Sequence, residues 1–377
     1  MNSTFAASAP RPLTILHTEW SDGWGGQERR IYSEMQGMRE RGHRVLLATR
    51  PGCILANRAE DVGLPVSYFP FSGKFDLHTV LRLRRFILEA GVDIVNTHSG
   101  IDSWVGGMAA RLAGVSLVRT RHLNLPLKRS WHNFVHFLPH RIVTCGQSML
   151  ENLRDNERFP AVQLTSIPTG IDFTQFRPHR ERAEVRAEFV LSDAGVQTPF
   201  IVLMVAVIRA VKRHEVAIDA FASFHRQHPD SLLLLAGEGP MHAQVEAMCA
   251  ARGIADAVRF LGHREDIPDL MSAADALILT SRSEGVPQVV TQALGLGLPV
   301  IATAVGGVPE LVINDRTGLL VPPENPTATA AALCRLYDDA PLRERLSTAG
   351  RAHALAHFSH EAMLDATEKL YAQLRRH

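Results

Sequence analysis

Short apolar runs alternate with helix-like segments along this chain, and the alternation starts again near its middle. The first half contains the runs LTILHT, HRVLLATR, DIVNTHS, SLVRTRH, RIVTCG and LTSIP. Each run is apolar on both faces, which is typical of parallel strands covered by helices on both sides. After the charged segment HRERAEVRAEF the pattern resumes with FIVLMVAVI, LLLLAGEG, VRFLG, DALILTS, LPVIAT and TGLLVPP.

This restart predicts two doubly wound α/β domains in series rather than one large sheet. A chain of 377 residues is long enough for two domains of about 150 to 200 residues each. We expect residues 1–185 to form the first domain and residues 190–357 the second. Ligands of open parallel sheets bind beyond the carboxyl ends of the strands, so we expect a cleft between facing domains to be the site.

Composition excludes several other classes of protein. Forty basic residues against thirty-nine acidic residues leave a formal charge of +1, which argues against a nucleic acid partner. The cysteines are far apart and form no CxxC pair, so we expect reduced thiols, no disulfide and no structural zinc. The longest apolar run, 200–208, is under half a membrane span, and residues 1–12 lack the cationic region of a signal peptide. We therefore expect a cytoplasmic protein.

The segment SRSEGVPQVVTQALGLGLPV carries the most informative polar pattern. Glu284 lies between the end of a strand and a helix for which Pro287 suits the first turn. Gln292 follows eight residues later and shares a helix face with Gln288. Because a helix N-terminus attracts anions, the pattern suits a nucleotide sugar, with hexose at Glu284, diphosphate at the helix start and ribose at Gln292. The alternative is a glutamate that caps its own helix and an exposed glutamine.

Three further loops carry candidate residues. Arg209 and Lys212 follow the first strand of the second domain, where they could neutralise a leaving diphosphate or simply begin a solvated helix. Glu238 lies in a glycine-flanked turn of a common type. Gly25 and Gly26 precede a helix and allow close approach of a phosphate or sugar, although a plain turn fits equally well. The GxGxxG spacing is absent, which argues against a nicotinamide-dependent dehydrogenase.

Taken in order, the motifs resemble those of the family 4, or group 1, nucleotide-sugar glycosyltransferases, which have the GT-B fold of two facing Rossmann-like domains. They are WGGQE, DIVNTHS, SIPTGID, RAVKRHEVAIDAF, LAGEGP, RFLGH, SRSEGVPQVVTQALGLGLPVIAT and VGGVPELV, and they cover essentially the whole chain. The resemblance implies that Glu284 contacts the donor hexose and that Arg209 and Lys212 contact the diphosphate. The remaining donor-side residues that it implies are Gly25, Gly26, His98, Glu238, His263, Gly285, Val286 and Gln292.

Within that resemblance, His98 faces the transferred sugar and main chain near His263 meets the base. The alternative for His98 is that it only fills a strand end. Gln292 stands where the family usually has a second glutamate, and its amide can still accept from one ribose hydroxyl and donate to the other. The interval between Arg209 and Lys212 is also shorter than the family's commonest form.

The resemblance further implies transfer with retention of anomeric configuration, no required metal and no cofactor besides the nucleotide-sugar donor. The acceptor hydroxyl would attack from the face that the diphosphate leaves, and a phosphate oxygen would take its proton. UDP-hexose is the first expectation for the donor, followed by GDP-mannose and ADP-heptose. The last helix, within 358–377, is expected to return to the first domain.

The acceptor is expected beside the segment RTRHLNLPLKRSWHNFVHFLPHR, a mixture of basic and aromatic residues. Its candidate residues are Arg119, Arg121, His122, Lys128 and Arg129. Such a surface suits an acidic, phosphorylated or membrane-borne acceptor, with peripheral contact to the cytoplasmic face of the inner membrane, or it is a solvated face. Relatives of this kind suggest a cell-envelope glycan such as lipopolysaccharide core. Alternative functions are another GT-B enzyme (an epimerase or phosphorylase), an NAD-dependent dehydrogenase and a non-catalytic sugar-nucleotide-binding protein.

Overall fold

The computed structural model describes residues 11–122, 131–189 and 199–375. The chain divides into two compact units. Unit 1 consists of Met1–Cys145, Met149–Ile167 and Leu364–His377, and unit 2 consists of Gly146–Ser148 and Pro168–Met363. The chain thus passes between the units near residues 167 and 363, whereas the sequence-based boundaries near 185 and 358 stay predictions about domains.

Unit 1 contains a seven-stranded parallel sheet in the order β3-β2-β1-β4-β5-β6-β7. Its strands are β1 (Thr14–Glu19), β2 (Arg44–Thr49), β3 (Val66–Tyr68), β4 (Ile94–Thr97), β5 (Ser116–Arg121), β6 (Arg141–Thr144) and β7 (Leu164–Ser166). The helices of this part of the chain are α1 (Gly26–Glu40), α2 (Ile54–Asp61), α3 (Leu77–Glu89), α4 (Gly100–Ala113) and α5 (Gln147–Asp155). Short 3-10 turns cover Trp131–Phe137 and Ala161–Gln163.

Unit 2 contains a six-stranded sheet in the order β10-β9-β8-β11-β12-β13. The strands are β8 (Phe200–Val205), β9 (Ser231–Ala236), β10 (Val258–Gly262), β11 (Ala276–Leu279), β12 (Val300–Thr303) and β13 (Leu319–Val321). The helices that follow α5 are α6 (Arg182–Ala187), α7 (His214–His225), α8 (His242–Ala251), α9 (Ile267–Ala273), α10 (Gln288–Gly295), α11 (Val308–Leu311), α12 (Pro326–Asp338), α13 (Ala340–Phe358) and α14 (His360–Leu374). Short 3-10 turns cover Ala210–Lys212 and Ala255–Ala257.

The central strands of both sheets are buried on both faces, as their apolar runs predict. In β8, Val202 and Met204 belong to one hydrophobic cluster, and the alternate residues Ile201 and Leu203 belong to the other. This alternation follows from the period of two along a strand. The predicted doubly wound α/β fold class is therefore confirmed in both units.

Each sheet contains one point at which the chain reverses the direction in which it adds strands. In unit 1 this point lies between β1 and β4, and in unit 2 it lies between β8 and β11. Doubly wound sheets bind ligands at the carboxyl ends of the strands that flank such a point, because the loops there diverge and leave a crevice. Functional residues are therefore expected at these two places. Within the described residues, no helix combines the length and the apolar character that crossing a bilayer requires.

Candidate functional site

The turn after β8 and the loop after β11 bring two predicted residues of unit 2 together. Lys212 Nζ lies 2.6 Å from Glu284 Oε1, and Ser281 Oγ donates to the same oxygen at 2.5 Å. Backbone contacts hold the two segments in register, since Arg282 N donates to Val211 O at 2.8 Å. Glu284 is almost completely buried and Lys212 is about one quarter exposed. The result is a charged pair at the crevice-forming end of the sheet, with the lysine side open to solvent.

Two adjacent glycines of the VGGVPELV motif support the loop that carries Glu284. Gly307 N donates to Gly285 O at 2.8 Å. A Cβ at Gly306 would lie 1.8 Å from Glu284 O, and one at Gly307 would lie 2.3 Å from Gly285 O. A residue with a side chain would clash at either position, so this glycine pair sets the path of the Glu284 loop. These glycines were not predicted as site residues, although their adjacency is visible in the sequence.

The turn after β9 places Glu238 beside the segment that contains His263. The backbone N–H of His263 faces Glu238 Oε1 at 3.4 Å, and Glu238 O accepts from Ile208 N at 2.9 Å. Gly239 has no room for a Cβ, which would lie 2.3 Å from Ile208 O. Glu238 and His263 are therefore neighbours, and the same turn supports the backbone just before Arg209.

Arg209 and Gln292 are predicted donor residues whose side chains have no protein partner in the described ranges. The Arg209 side chain is exposed, and Gln292 is half-buried on α10. The helix begins at Gln288, one residue later than the pattern suggests, and Pro287 is its N-cap. The side chain of Val286 packs against the hydrophobic core, and its backbone lies just before the N-cap of α10. Both polar side chains are thus free to bind a ligand.

In unit 1, Gly25 and Gly26 form the N-terminus of α1, and two carboxylates already face this turn. Glu28 Oε2 accepts from Gly25 N at 2.8 Å. Glu19, at the end of β1, accepts from Trp20 N at 2.7 Å, and its other oxygen accepts from the side-chain amide of Gln27. Burial, followed by the nearby charge of Asp102, raises the pKa of Glu19 to about 8. Sequence reasoning missed both carboxylates.

His98 follows β4 at the start of α4, where the buried carboxylate of Asp102 fixes its backbone. Asp102 Oδ2 accepts from His98 N at 2.7 Å, and its other oxygen accepts from Ser99 N at 2.7 Å. The His98 ring is only 4% exposed. Burial, and then the neighbouring groups His17 and His122, hold the pKa of His98 well below its ordinary value, so the ring is neutral at neutral pH.

The basic segment that begins on β5 is not a solvated face at Arg119 and Arg121. Arg119 and Arg121 lie on β5 and are 6% and 5% exposed. Burial lowers the pKa of both guanidinium groups, although Arg119 still retains a pKa of about 9. The interpretation of these two arginines as solvent-facing residues is therefore wrong, because the strand places them inside unit 1. The predicted residues Lys128 and Arg129 lie outside the described residues.

Comparisons with protein families match two halves of the chain separately. The model described as Glycosyltransferase Family 4 matches residues 24–175, and the model described as Glycosyl transferases group 1 matches residues 192–353. An alpha-D-kanosaminyltransferase from Streptomyces kanamyceticus is 33% identical over 195 residues, covering 51% of this chain and 49% of the relative. A D-inositol 3-phosphate glycosyltransferase from Salinispora tropica is 28% identical, covering 73% of this chain and 63% of the relative. The chain therefore spans about half to three fifths of these relatives.

Solved structures match almost the whole chain. A glycosyltransferase from Rickettsia africae superposes with a TM-score of 0.84 at 19% identity, covering 97% of this chain and 99% of the other. HepE from Anabaena in complex with UDP gives 0.82 at 22% identity, covering 96% and 100%. The lipopolysaccharide outer core galactosyltransferase WaaB gives 0.74 at 15% identity, covering 96% and 99%. At these identities the similarity establishes the shared fold.

Proposed function

The chain belongs to the group 1 glycosyltransferases of the GT-B type, and on this premise we propose that it transfers a hexose or related sugar from a nucleoside-diphosphate sugar to a hydroxyl of a cell-envelope glycan or glycolipid. The observation that carries the proposal is the pair formed by Lys212 and Glu284 at the strand ends of unit 2. The pair supplies a cation for a diphosphate and a carboxylate for sugar hydroxyls in one place.

Lys212 and Glu284 satisfy each other at 2.6 Å. A diphosphate carries more negative charge than one carboxylate, so it competes well for the partly exposed lysine. Glu284 keeps the hydroxyl of Ser281 as a partner when Lys212 turns toward phosphate, which leaves its other oxygen to accept from a sugar hydroxyl. The pair thus holds the charges in place before the donor arrives, which is how electrostatic stabilisation avoids reorganisation during the reaction.

UDP-hexose is the proposed donor. The support is the likeness in fold to HepE, whose structure contains UDP, together with two groups in unit 2 that have no protein partner in the described ranges. The free amide of Gln292 suits ribose hydroxyls, and the free guanidinium of Arg209 suits a phosphate. Main chain near His263, beside Glu238, suits the edge of a base.

The proposed reaction retains the anomeric configuration and uses no metal or other cofactor. The acceptor hydroxyl attacks on the face that the diphosphate leaves, the bond between C1 and the phosphate oxygen breaks, and that oxygen takes the proton of the hydroxyl. Arg209 and Lys212 stabilise the charge that grows on the diphosphate. We assign neutral His98 to the sugar side of the site, where its ring adds no positive charge next to the developing positive charge at C1.

The proposed acceptor is borne on the cytoplasmic face of a membrane, as lipopolysaccharide core is during its synthesis. Support comes from α3, whose outward face carries Leu77, Leu81 and Leu88, all exposed. They lie at i, i+4 and i+11 and so form one stripe. Phe75, just before the helix, is 79% exposed. Exposed basic residues accompany the stripe, namely Lys74, Arg82, Arg84 and Arg85. Apolar side chains bordered by cations fit an anionic lipid surface.

The donor proposal is tested first with the unmodified protein and a panel of nucleotide sugars. We expect thermal stabilisation and slow donor hydrolysis with a UDP-hexose. Stabilisation by NAD and by no nucleotide sugar would overturn the proposal.

Lys212→Ala and Glu284→Ala test the site itself. We expect each to lower transfer by about 10²- to 10³-fold, the usual cost of removing one electrostatic contact to a transition state. Arg282→Ala is the matched control, because Arg282 lies on the same loop and its side chain is 72% exposed. Unaltered turnover in both site variants would refute the assignment, provided that the folded fraction is measured alongside.

A further inference from the structure

Four neighbouring strands of unit 1 contribute to one continuous row of side chains that we name the imidazole chain: His17, His98, His122 and Cys145. His17 Nδ1 lies 3.0 Å from His98 Nε2, and His98 Nδ1 lies 3.2 Å from His122 Nε2. His122 Nδ1 lies 3.6 Å from Cys145 Sγ. The row follows the sheet order β1-β4-β5-β6, in which each strand is hydrogen-bonded to the next.

Because His98 uses both of its ring nitrogens in this row, the proton positions of the three rings are coupled. A neutral imidazole carries one N–H donor and one acceptor nitrogen. If His17 donates from Nδ1, His98 and His122 must also donate from Nδ1, and every hydrogen bond of the row then points from His17 toward Cys145 Sγ. If His122 donates from Nε2, then His98 and His17 carry their protons on Nε2 as well. Only these two arrangements satisfy every contact between the rings.

The rings of the imidazole chain are neutral. Burial is the largest cause that lowers the pKa of each of the three histidines. The buried charge of Arg30 further lowers the pKa of His98 and of His122. For His17 the carboxylate of Glu34 acts in the opposite direction, but burial outweighs it. The choice between the two arrangements therefore depends on the groups at the two ends.

At the first end stands a carboxylate. Glu34, on α1, is 1% exposed, and its Oε1 lies 3.9 Å from His17 Nε2. Tyr371 OH donates to that oxygen at 2.7 Å. His17 Nε2 has no hydrogen-bond partner in the parts of the chain that the structure covers. A lone pair on this nitrogen would face negative charge in a buried place, whereas an N–H would be attracted by it.

At the second end stands a thiol, which is a weak and adaptable partner. Cys145 Sγ donates to Arg121 O at 3.2 Å, and rotation about its C–S bond can direct the same proton toward His122 Nδ1 instead. The thiol thus accommodates either arrangement at small cost, whereas Glu34 Oε1, which already accepts from Tyr371 OH, offers His17 Nε2 an acceptor and not a donor. Glu34, at the first end, therefore determines the arrangement, and it favours the one in which all three rings carry their protons on Nε2.

We propose that Glu34 and His17 are positioning residues that hold His98 as a rigid, neutral ring with its proton on Nε2. The inference rests on the proposed function only for the role of His98, which is assigned to the sugar side of the site. Because both ring nitrogens of His98 are hydrogen-bonded, the ring cannot rotate. Because each neighbouring ring also uses one nitrogen as donor and the other as acceptor, His98 cannot gain a proton without breaking a hydrogen bond. Glu34 thus acts on His98 through His17, without contact between Glu34 and substrate.

The direct test is ¹⁵N nuclear magnetic resonance of the histidine rings in the full chain at neutral pH, with signals assigned through single His→Gln variants. We expect His17, His98 and His122 each to show one protonated nitrogen, at Nε2. A proton on Nδ1 of His98, or a charged His98, would overturn the proposal. This outcome is independent of catalysis, so it can be read even if no nucleotide sugar proves to be a substrate.

Substitutions test the origin and the consequence of the arrangement. Glu34→Gln removes the selecting charge, and we expect a mixture of His98 tautomers and a fall of about tenfold or more in kcat, with donor KM within about twofold. Glu40→Gln is the matched control, since Glu40 is an exposed acid on the same helix. An unmixed Nε2 tautomer in folded Glu34→Gln would show that the carboxylate does not select it and would refute the proposal.

A graded pair at His17 separates positioning from simple packing. His17→Asn keeps a polar atom near the position of Nδ1 and can still accept from His98, whereas His17→Leu cannot. We expect His17→Asn to retain at least about tenfold more kcat than His17→Leu at comparable stability. Equal kcat values in two folded variants would refute a positioning role for His17.

Discussion

At the scale of single residues, Gln292 is the position at which the proposed donor site departs from the family's usual glutamate. Its amide is half-buried on α10 and has no protein partner in the described ranges. If it binds ribose, Gln292→Ala leaves a hydroxyl without its partner, which costs about 1 to 3 kcal/mol. We expect donor KM to rise roughly 5- to 150-fold in steady-state kinetics at saturating acceptor. Gln292→Glu should stay active, because a carboxylate accepts from both hydroxyls.

Gln288→Ala is the matched control for this prediction, since it removes the same side chain one turn earlier on the same helix. The effect of Gln292→Ala on kcat should be smaller than that of Lys212→Ala, because ribose changes little in the transition state while the diphosphate gains charge. An unchanged donor KM in Gln292→Ala would show that the side chain points away from the nucleotide.

The sequence predicted one kind of site residue and missed another. The proximity of Lys212 and Glu284 was predictable because each lies in the loop that follows a strand, and the strands β8 and β11 are neighbours in a doubly wound sheet. The proximity of Glu34 and Tyr371 was not, because they are separated by more than three hundred positions and meet only through packing. Each one alone looks like an ordinary polar residue of an amphipathic helix. Their contact depends on helix rotation and tertiary placement, which a local pattern does not specify.

At the scale of elements, apolar runs located the strands well but failed at a sheet edge. β3 (Val66–Tyr68) was not predicted, and its burial explains why: two residues are half-buried and one is exposed. An edge strand is hydrogen-bonded on one side only and needs no continuous apolar run. The apolar pattern also did not predict the shape of the loop beside Gly306, because that shape depends on close approach of backbone atoms rather than on side chains. Apolar periodicity reflects burial, so it does not predict a strand whose residues are only partly buried.

The face of α3 supports a prediction about membrane binding. Leu77→Ser combined with Leu81→Ser removes exposed apolar area without creating a cavity, so the fold should be unaffected. Inserting a leucine into an apolar phase contributes up to about 1.5 to 3 kcal/mol. We therefore expect the double variant to bind phosphatidylglycerol-containing vesicles at least tenfold more weakly in a sedimentation assay. Raised salt should also weaken binding of the unmodified protein, because the neighbouring arginines are exposed.

Val162→Ser is the control for α3, because Val162 is an equally exposed apolar residue elsewhere in unit 1. Vesicle binding that is the same in the double variant and the control would refute lipid contact through this face. If light scattering instead showed that the double substitution dissociates a dimer, the stripe would be an interface between copies of the chain.

At the scale of the whole molecule, the C-terminal helix ties the end of the chain to unit 1. From Leu364 onward α14 belongs to that unit, although the residues just before it belong to unit 2. Tyr371 is 1% exposed, donates to Glu34 and accepts from Asn96 Nδ2 at 2.8 Å. Arg41 forms ion pairs with Asp365 and Glu368 on the outer side of the helix. One buried polar cluster and one surface cluster therefore anchor the helix.

The buried cluster should dominate the stability of unit 1. Tyr371→Phe keeps the ring but removes the hydroxyl, so Glu34 Oε1 loses its 2.7 Å donor and Asn96 Nδ2 keeps only its 3.5 Å contact with Glu34. We therefore expect the free energy of unfolding to fall by about 1 to 3 kcal/mol. Asp365→Asn is the control on the same helix, and because its carboxylate is 73% exposed the loss should stay below about 1 kcal/mol. All four tryptophans belong to unit 1, so their fluorescence during urea unfolding follows this unit alone. If the two variants lost equal stability, the hydroxyl of Tyr371 would not be the anchor, and the helix would be held by its apolar residues and surface charges instead.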